Sequence, residues 1–315
     1  MAKILITGIH GFIGSNLVRE LKDDIELYGL DIVAPEKEGV IQTYSWEDLD
    51  EGRIPQVDAI VHLAGLAHET GSRQSAPERY FQINTDLTKK IYDWFLKSCA
   101  KKFVFFSSAS VYGSRIRTYE KPEDEPCEPD TPYGQSKRKA EEYILEQELP
   151  TGKNYYILRP AMIHGPGNKG NLNLLFKVVE KGLPWPLGAY DNRRSFASVG
   201  NITKVVADLI SGEAESGVFN VSDDNPASTN RIVEMICHAN GIKSRIWHIP
   251  RWIIKPVAIV GTWLHLPLNK IRLRKLTTDA LLSNTKIKTA LGWEKMPISS
   301  EEGLCLTIKS LSQKK

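Results

Sequence analysis

The sequence has few cysteines and lacks the residue spacings typical of metal sites. Its four cysteines, Cys99, Cys127, Cys237 and Cys305, are scattered over 315 residues without a CxxC pair, and its seven histidines show no HExxH pattern. A structural zinc site and a disulfide framework are therefore not expected, and a reducing compartment is the simplest setting.

The sequence also lacks a strong charge excess and a long apolar run. Lysine and arginine number 41 against 38 acidic residues, so nucleic acid is not an expected partner. The most apolar later stretch, residues 252–266, is interrupted by Lys255 and Pro256 and is shorter than the roughly 20 residues of a spanning helix. We expect an amphipathic or buried helix there, with contact to a membrane surface as the less favoured alternative. The N-terminal residues show no secretory pattern, so we expect a cytoplasmic protein.

Hydrophobic periodicity indicates the fold class. Short apolar runs at residues 3–6, 26–30, 57–63, 103–106 and 155–158 alternate with helical patterns at about residues 12–22, 81–100 and 132–149. Strands that are apolar almost throughout are buried on both faces, which is typical of a parallel sheet covered by helices. We therefore predict an α/β protein with a doubly wound parallel Rossmann sheet. In the helix at 132–149, Glu141, Glu142, Glu146 and Glu148 are predicted to form a solvated face.

A glycine-rich turn follows the first strand and opens the first helix. Gly8, Gly11 and Gly14 are spaced GxxGxxG, with Phe12 and Ile13 between the last two. Glycine lets the backbone turn tightly and lets a diphosphate approach the amide groups at the helix N-terminus. The turn predicts a dinucleotide site. Residues 1–165 are then the NAD(P)-binding domain, with residues 196–222 returning to it, and residues 166–195 and 223–315 form a smaller C-terminal substrate-binding lobe.

Asp31 ends the second strand, 17 residues after Gly14. A carboxylate there accepts hydrogen bonds from ribose hydroxyls and repels a 2′-phosphate, and Ile32 and Val33 offer no arginine to neutralise one. NAD is therefore favoured over NADP as the cofactor, the alternative for Asp31 being a capping or turn residue.

Tyr133 and Lys137 are four residues apart, which places them on one face of a helix. An ammonium group near a phenol stabilises the phenolate and brings its pKa towards the range needed for acid–base chemistry. The apolar run at 103–106 leads into SSASVYG at the C-terminal edge of the sheet, where α/β proteins bind ligands. A serine hydroxyl there is placed to meet a substrate oxygen beside the tyrosine.

The order of the motifs carries a resemblance. TGIHGFIG, HLAG at residues 62–65, SSASVYG, PYGQSK and LRPAMIHGPG occur in that order, and LGW precedes an EEGL helix. The sequence thus resembles the extended short-chain dehydrogenases/reductases of the nucleotide-sugar epimerase/dehydratase family. The resemblance implies that Ser108 holds the reacting oxygen, that Tyr133 is the general acid/base, and that Lys137 binds the nicotinamide ribose. The further cofactor contacts that it implies are Leu63, Ala64, Gly65, Asn84 and Pro160, the alternative for Asn84 being a buried polar residue that bonds to backbone.

The resemblance also implies the substrate contacts and the assembly. Arg194, in NRRSF, matches the family arginine that meets the substrate diphosphate, and Lys275 lies where the family supplies a second cation. Lys169 and Asn171 are candidates for the phosphates or the uracil, although the basic run around Lys275 also fits a solvated helix. A UDP-sugar is the expected substrate, and a homodimer through the helices around residues 81–100 and 133–149 is expected.

Four reactions or roles compete for this set of residues. Segments 165–171, 182–188 and 192–195 resemble UDP-4-keto-6-deoxy-N-acetylhexosamine 4-reductases of surface polysaccharide synthesis, so a 4-reductase is favoured. A UDP-hexose 4-epimerase is the main alternative, disfavoured because such enzymes carry an RYFN-like segment where this chain has residues 159–162, RPAM. A 4,6-dehydratase is disfavoured because this chain lacks the additional acid/base pair that such an enzyme needs. A non-catalytic dinucleotide-binding sensor has no need for Ser108, Tyr133 and Lys137 together.

Overall fold

Seven parallel strands form the central sheet in the computed structural model, which describes residues 1–66, 76–115, 119–168, 171–264 and 269–313. In spatial order they are β3-β2-β1-β4-β5-β6-β9. Their bounds are β1 Lys3–Thr7, β2 Glu26–Leu30, β3 Gln42–Tyr44, β4 Ala59–His62, β5 Lys102–Phe106, β6 Asn154–Pro160 and β9 Gly217–Val221. A separate two-stranded sheet pairs β7, Met162–His164, with β8, Phe196–Ser198.

Helices connect the strands and build the C-terminal lobe. They are α1 Phe12–Leu21, α2 Trp46–Asp50, α3 Pro77–Phe81, α4 Leu87–Lys97, α5 Pro132–Glu146, α6 Asn171–Val179, α7 Val199–Ser211, α8 Thr229–Ala239, α9 Arg251–Trp263, α10 Lys270–Thr277, α11 Thr285–Leu291 and α12 Ser300–Ser312. A π-helical turn at Gln82–Asp86 joins α3 to α4, and a 3₁₀ turn at Ala109–Tyr112 follows β5. Within the described residues, no helix is both long enough and apolar enough to cross a membrane.

The sheet is buried on both faces, as its apolar strands predict. Alternate residues of β1 point to opposite sides, so that Ile4 and Ile6 join one core cluster and Leu5 joins another. The strands predicted from the apolar runs all pair in parallel, which confirms the doubly wound α/β class. The strand β3 was not predicted, because three half-exposed residues at a sheet edge are too few to show a period.

A third cluster forms the core of the C-terminal lobe. It gathers residues from α6, α8, α9 and α12 with the loop around Trp185, including Phe176, Ile236 and Leu304. Only part of segment 196–222 returns to the main sheet: β9 pairs with β6, whereas β8 pairs with β7 outside it. The chain thus passes from the main sheet to the lobe through β6 and the short β7 that follows it.

One prediction for α5 is wrong. Glu141 is not solvated but fully buried, where Arg159 of β6 donates to its two carboxylate oxygens over 2.9 and 2.7 Å. Ser107, just after β5, donates to the same carboxylate. Glu142 is exposed, as expected, and pairs with Arg138. Glu141 follows Lys137 by four residues, so the face that carries Tyr133 and Lys137 continues inward to this ion pair.

Removing one partner of a buried ion pair leaves an uncompensated charge, at a cost of about 3–5 kcal/mol. We therefore expect Glu141→Ala to lower the free energy of unfolding by roughly that amount, measured by urea denaturation. Glu142→Ala, on the exposed side of the same helix, is the matched control and should change it by less than about 1 kcal/mol. Equal losses in the two variants would contradict a stabilising role for the Glu141–Arg159 pair.

Candidate active site

The glycine turn brings β1, α1 and the end of β4 into close contact. Gly8 has a φ of +69°, and a Cβ atom there would lie 2.9 Å from the backbone nitrogen of Ala64. A Cβ on Gly14 would lie 2.6 Å from the carbonyl oxygen of Ile9. Both positions therefore require glycine, and the first turn of α1, with Phe12 and Ile13, opens at the C-terminal edge of the sheet. This is the geometry that suits a dinucleotide diphosphate.

Asp31 lies directly after β2 and faces this turn. Its carboxylate accepts hydrogen bonds from the backbone nitrogens of His10, at 3.1 Å, and Ile32, at 2.7 Å. Lys37, which the sequence analysis missed, donates to the Ile9 carbonyl oxygen and to the Ser15 hydroxyl. Burial lowers the pKa of Lys37, while the nearby charge of Asp31 raises it. The two side chains hold the glycine turn, and Asp31 remains at the strand end where a ribose would be recognised.

His62 fixes the segment after β4. Its ring nitrogens share hydrogen bonds with Thr7, at 2.7 Å, and Thr88, at 2.9 Å, and Thr7 also accepts from the Ala64 nitrogen. Burial, and then the charge of Lys137, keep the pKa of His62 well below its ordinary value. A neutral histidine therefore ties β1, β4 and α4 together and sets the position of Leu63, Ala64 and Gly65.

Asn84 lies fully buried in the π-helical turn. Its amide exchanges two hydrogen bonds with the backbone of Leu66, at 2.7 and 3.1 Å, and donates to the Ser136 hydroxyl at 3.0 Å. A Cβ on Gly65 would lie 2.9 Å from the Asn84 side-chain oxygen and 3.2 Å from the Lys137 ammonium. These contacts match the alternative stated for Asn84, a buried amide that bonds to backbone, and its contact with a cofactor stays a prediction.

Tyr133 and Ser108 meet through the way α5 begins. Thr131 caps the helix by accepting from the Gly134 nitrogen at 3.1 Å, and Pro132 occupies the first turn. A Cβ on Gly134 would lie 2.6 Å from the Ser110 carbonyl oxygen, so glycine lets the helix rest directly on the serine segment. Ser108 is thereby brought close enough to Tyr133 to lower the pKa of the phenol, while the Ser108 hydroxyl donates to the Ser110 hydroxyl at 3.1 Å.

Lys137 lies one turn further along α5, almost fully buried. Its ammonium donates to the Phe106 carbonyl oxygen at 2.8 Å and lies 4.9 Å from the centre of the Phe105 ring. Burial lowers the pKa of Lys137 to about 8, against the opposing charge of Glu141. Burial also raises the pKa of Tyr133, and the polar hydroxyl of nearby Ser108 only partly offsets this. The arrangement holds a protonated phenol beside a serine hydroxyl, with a titratable amine behind it.

The predicted substrate contacts and the predicted cofactor contact Pro160 are described only in part. Arg194 is fixed by backbone hydrogen bonds with Ala227, and burial lowers the pKa of its guanidinium. Pro160 is buried at the end of β6. Lys169 lies outside the described residues, and the side chains of Asn171, which begins α6, and Lys275, in α10, are not described either. The roles of all five residues stay predictions.

Comparison with known proteins gives a class to this arrangement. Residues 4–222 match the model of the NAD dependent epimerase/dehydratase family. A UDP-glucose 4-epimerase of Vibrio cholerae is 28% identical, covering 98% of this chain and 95% of its own length. An N-acetyl-alpha-D-glucosaminyl-diphospho-ditrans,octacis-undecaprenol 4-epimerase of Escherichia coli O157:H7 is 27% identical, covering 88% and 83%.

Solved structures give the same fold. The Bordetella bronchiseptica enzyme WbmG, in complex with NAD and UDP, superposes with a TM-score of 0.74 at 20% identity, covering 98% of this chain and 94% of its own. With the family match spanning most of the sheet, this chain belongs to the NAD dependent epimerase/dehydratase family. It is an enzyme with NAD as its cofactor, and the described glycine turn and Asp31 suit that group.

The low pKa of Lys137 makes folding depend on pH. Its value of about 8 lies below the 10.5 of an exposed lysine, so the unfolded chain binds more protons between those values. The free energy of unfolding of the native protein should therefore rise with pH across this window, relative to Lys137→Met, by on the order of 2 kcal/mol. Urea denaturation between neutral pH and pH 10 measures this. Lys139→Met, exposed on the same helix, should show no such relative change, and a flat difference for Lys137→Met would refute the low pKa.

Proposed function

We propose that this enzyme interconverts the C4 epimers of a UDP-hexose. The observation that carries the proposal is the way the start of α5 rests on the serine segment, which brings Tyr133 close to Ser108, with Lys137 buried one helical turn along and bonded to the end of β5. The support for epimerisation over reduction comes from the relatives, since the two named above are 4-epimerases that align over most of the chain. The sequence motifs favour a 4-reductase over a 4-epimerase, whereas the comparisons favour the 4-epimerase.

The structure also weakens a reason, drawn from the sequence, for disfavouring an epimerase. That reason rests on residues 159–162, where epimerases carry an RYFN-like segment. Arg159 is occupied inside the protein, where it binds Glu141 and donates to the Tyr112 hydroxyl at 2.9 Å. Arg159 holds α5 against β6, so the identity of residues 159–162 reflects packing as much as substrate recognition.

The chain's own residues supply the proton chemistry at C4. NAD, held by the glycine turn and Asp31, would supply reversible hydride transfer at C4. In the proposed reaction Tyr133 accepts the proton of the C4 hydroxyl and later gives it back, while Ser108 hydrogen-bonds the same oxygen. Lys137 and the hydroxyl of Ser108 favour the phenolate against burial. The sugar loses a hydride and a proton and regains both, so no net reductant is consumed.

A second substrate class shares these reacting atoms. The Escherichia coli relative is named for a hexosamine joined through a diphosphate to a polyprenol. Sugar and diphosphate are common to both classes, and only the group beyond the diphosphate differs. The exposed apolar side chains of α9 favour this class as the alternative, because a polyprenol-linked sugar is held at a membrane.

The reaction type is tested by following the cofactor. We expect the purified enzyme, given UDP-glucose or UDP-N-acetylglucosamine and NAD, to form the C4 epimer without added reductant, measured by NMR of the sugar products. The same assay with polyprenol-diphosphate-linked N-acetylglucosamine tests the second substrate class. Stoichiometric oxidation of NADH with a 4-keto UDP-sugar, and no epimer from either substrate, would instead establish a 4-reductase.

The role of the phenol is tested by removing only its hydroxyl. Tyr133→Phe should lower kcat by at least about a hundredfold, since a positioned acid/base contributes roughly that much, while NAD affinity, measured by calorimetry, stays nearly unchanged. Tyr143→Phe is the matched control, because Tyr143 lies on the same helix and bonds Asp93 away from Ser108. Unaltered turnover in Tyr133→Phe would rule this residue out as the acid/base.

A further inference from the structure

Helix α9 buries only a narrow stripe of its surface. Ile254, Ala258 and Gly261, spaced by four and three residues, are its buried positions, and the first two pack into the lobe core. Most of the remaining side chains of the helix are apolar as well, with Trp252 75% and Trp263 82% exposed. The exposed apolar side chains of α9, the residue that follows it and α10 are Trp252, Ile253, Val257, Ile259, Val260, Trp263, Leu264 and Ile271, which we call the α9–α10 face. A helix that is apolar nearly all round is normally covered on more than one side.

The charge around this face has one sign. Between Glu234 and Asp279 the sequence contains eight lysines and arginines and no acidic residue. Lys255 on α9 and Lys270 and Arg272 on α10 are exposed beside the apolar side chains. The whole chain has a net charge of only +3, so this segment concentrates positive charge that is balanced by acidic residues elsewhere. Basic charge next to exposed tryptophan is complementary to an anionic phospholipid surface.

The two helices form one surface. The Lys270 nitrogen, at the start of α10, donates to the Thr262 hydroxyl near the end of α9 at 3.0 Å. With 13 residues, α9 is far shorter than the roughly 20 that a bilayer span requires. Its apolar side chains are therefore suited to lie in the plane of the interface, at the boundary of headgroups and acyl chains.

We propose that the α9–α10 face binds the surface of an anionic phospholipid bilayer. A second copy of this chain suits the face poorly. A two-fold contact places the same patch on both sides, so the lysines and arginines of one copy would meet those of the other. Anionic lipid headgroups remove this repulsion, while the tryptophans and aliphatic side chains enter the headgroup region.

The face adjoins the loop that follows the serine segment. Arg274, on α10, donates to the carbonyl oxygen of Ser114 at 2.8 Å, and Ser114 lies two residues after the 3₁₀ turn that follows Ser108. Docking through this face would therefore hold the edge of the candidate site near the membrane. The docking itself does not rest on the proposed reaction, because it involves none of the residues placed in the site.

The test is vesicle flotation with the full-length protein, using phosphatidylcholine vesicles and vesicles of equal parts phosphatidylcholine and phosphatidylglycerol. We expect binding to the phosphatidylglycerol vesicles that is weakened by high salt, and little binding to phosphatidylcholine alone. Trp252→Ser with Trp263→Ser, and separately Lys255→Glu with Lys270→Glu, should each lower the partition coefficient at least about tenfold. Turnover of a soluble UDP-sugar should be unchanged in both double variants, so failure of the docking and failure of the proposed reaction are distinguishable.

Matched controls lie elsewhere on the surface. Ile41→Ser removes an exposed apolar side chain beside β3, and Lys309→Glu reverses an exposed charge on α12, and neither should alter vesicle binding. The proposal is overturned if the protein ignores phosphatidylglycerol, or if the double variants bind like the parent. It is equally overturned if light scattering shows that the tryptophans hold a dimer together and the parent does not float with vesicles.

Discussion

The ion pair between Glu141 and Arg159 is the constraint on which the candidate site depends. It joins the inner face of α5 to β6, and one turn earlier Lys137 joins the same face to the end of β5. A buried carboxylate is costly to desolvate, and the paired hydrogen bonds from Arg159, with a third from Ser107, offset that cost. With two successive turns of α5 attached to neighbouring strands, the position of Tyr133 one further turn back is determined by helix geometry.

Burial both builds this site and opposes its chemistry. The contacts that hold Lys137 exclude water from it, so its pKa falls to about 8, and the same exclusion raises the pKa of Tyr133. Deprotonation of the phenol therefore depends on hydrogen bonds and positive charge supplied at the moment of reaction. Ser108 already lies close enough to the phenol to lower its pKa. A proton that is held firmly until a substrate oxygen arrives is less easily lost to water.

Local patterns in the sequence predicted most of the framework. The apolar runs indicated the parallel strands, the glycine spacing indicated the turn before α1, and the four-residue spacing of Tyr133 and Lys137 placed both on one face of α5. The contacts that were missed are long-range. The residues around Glu141 are acidic and typical of an exposed helix surface, and its partner Arg159 lies 18 residues away on a strand. The four-residue spacing of Glu141 from Lys137 was the one visible sign that Glu141 lies on the inner face. Lys37 reaches back 22 residues to Ser15, which no local pattern records.

The choice between reduction and epimerisation could not be made from the same residues, since both reactions use Ser108, Tyr133 and Lys137 identically. The difference is whether the sugar presents one face or both to the cofactor, which the lobe decides. That lobe has its own core, separate from the clusters on the two sides of the sheet. Helix α9 belongs to this core through one narrow stripe of three buried positions, so of the two sequence expectations, an amphipathic or a buried helix, it is not the fully buried one. Much of its exposed side is nevertheless apolar.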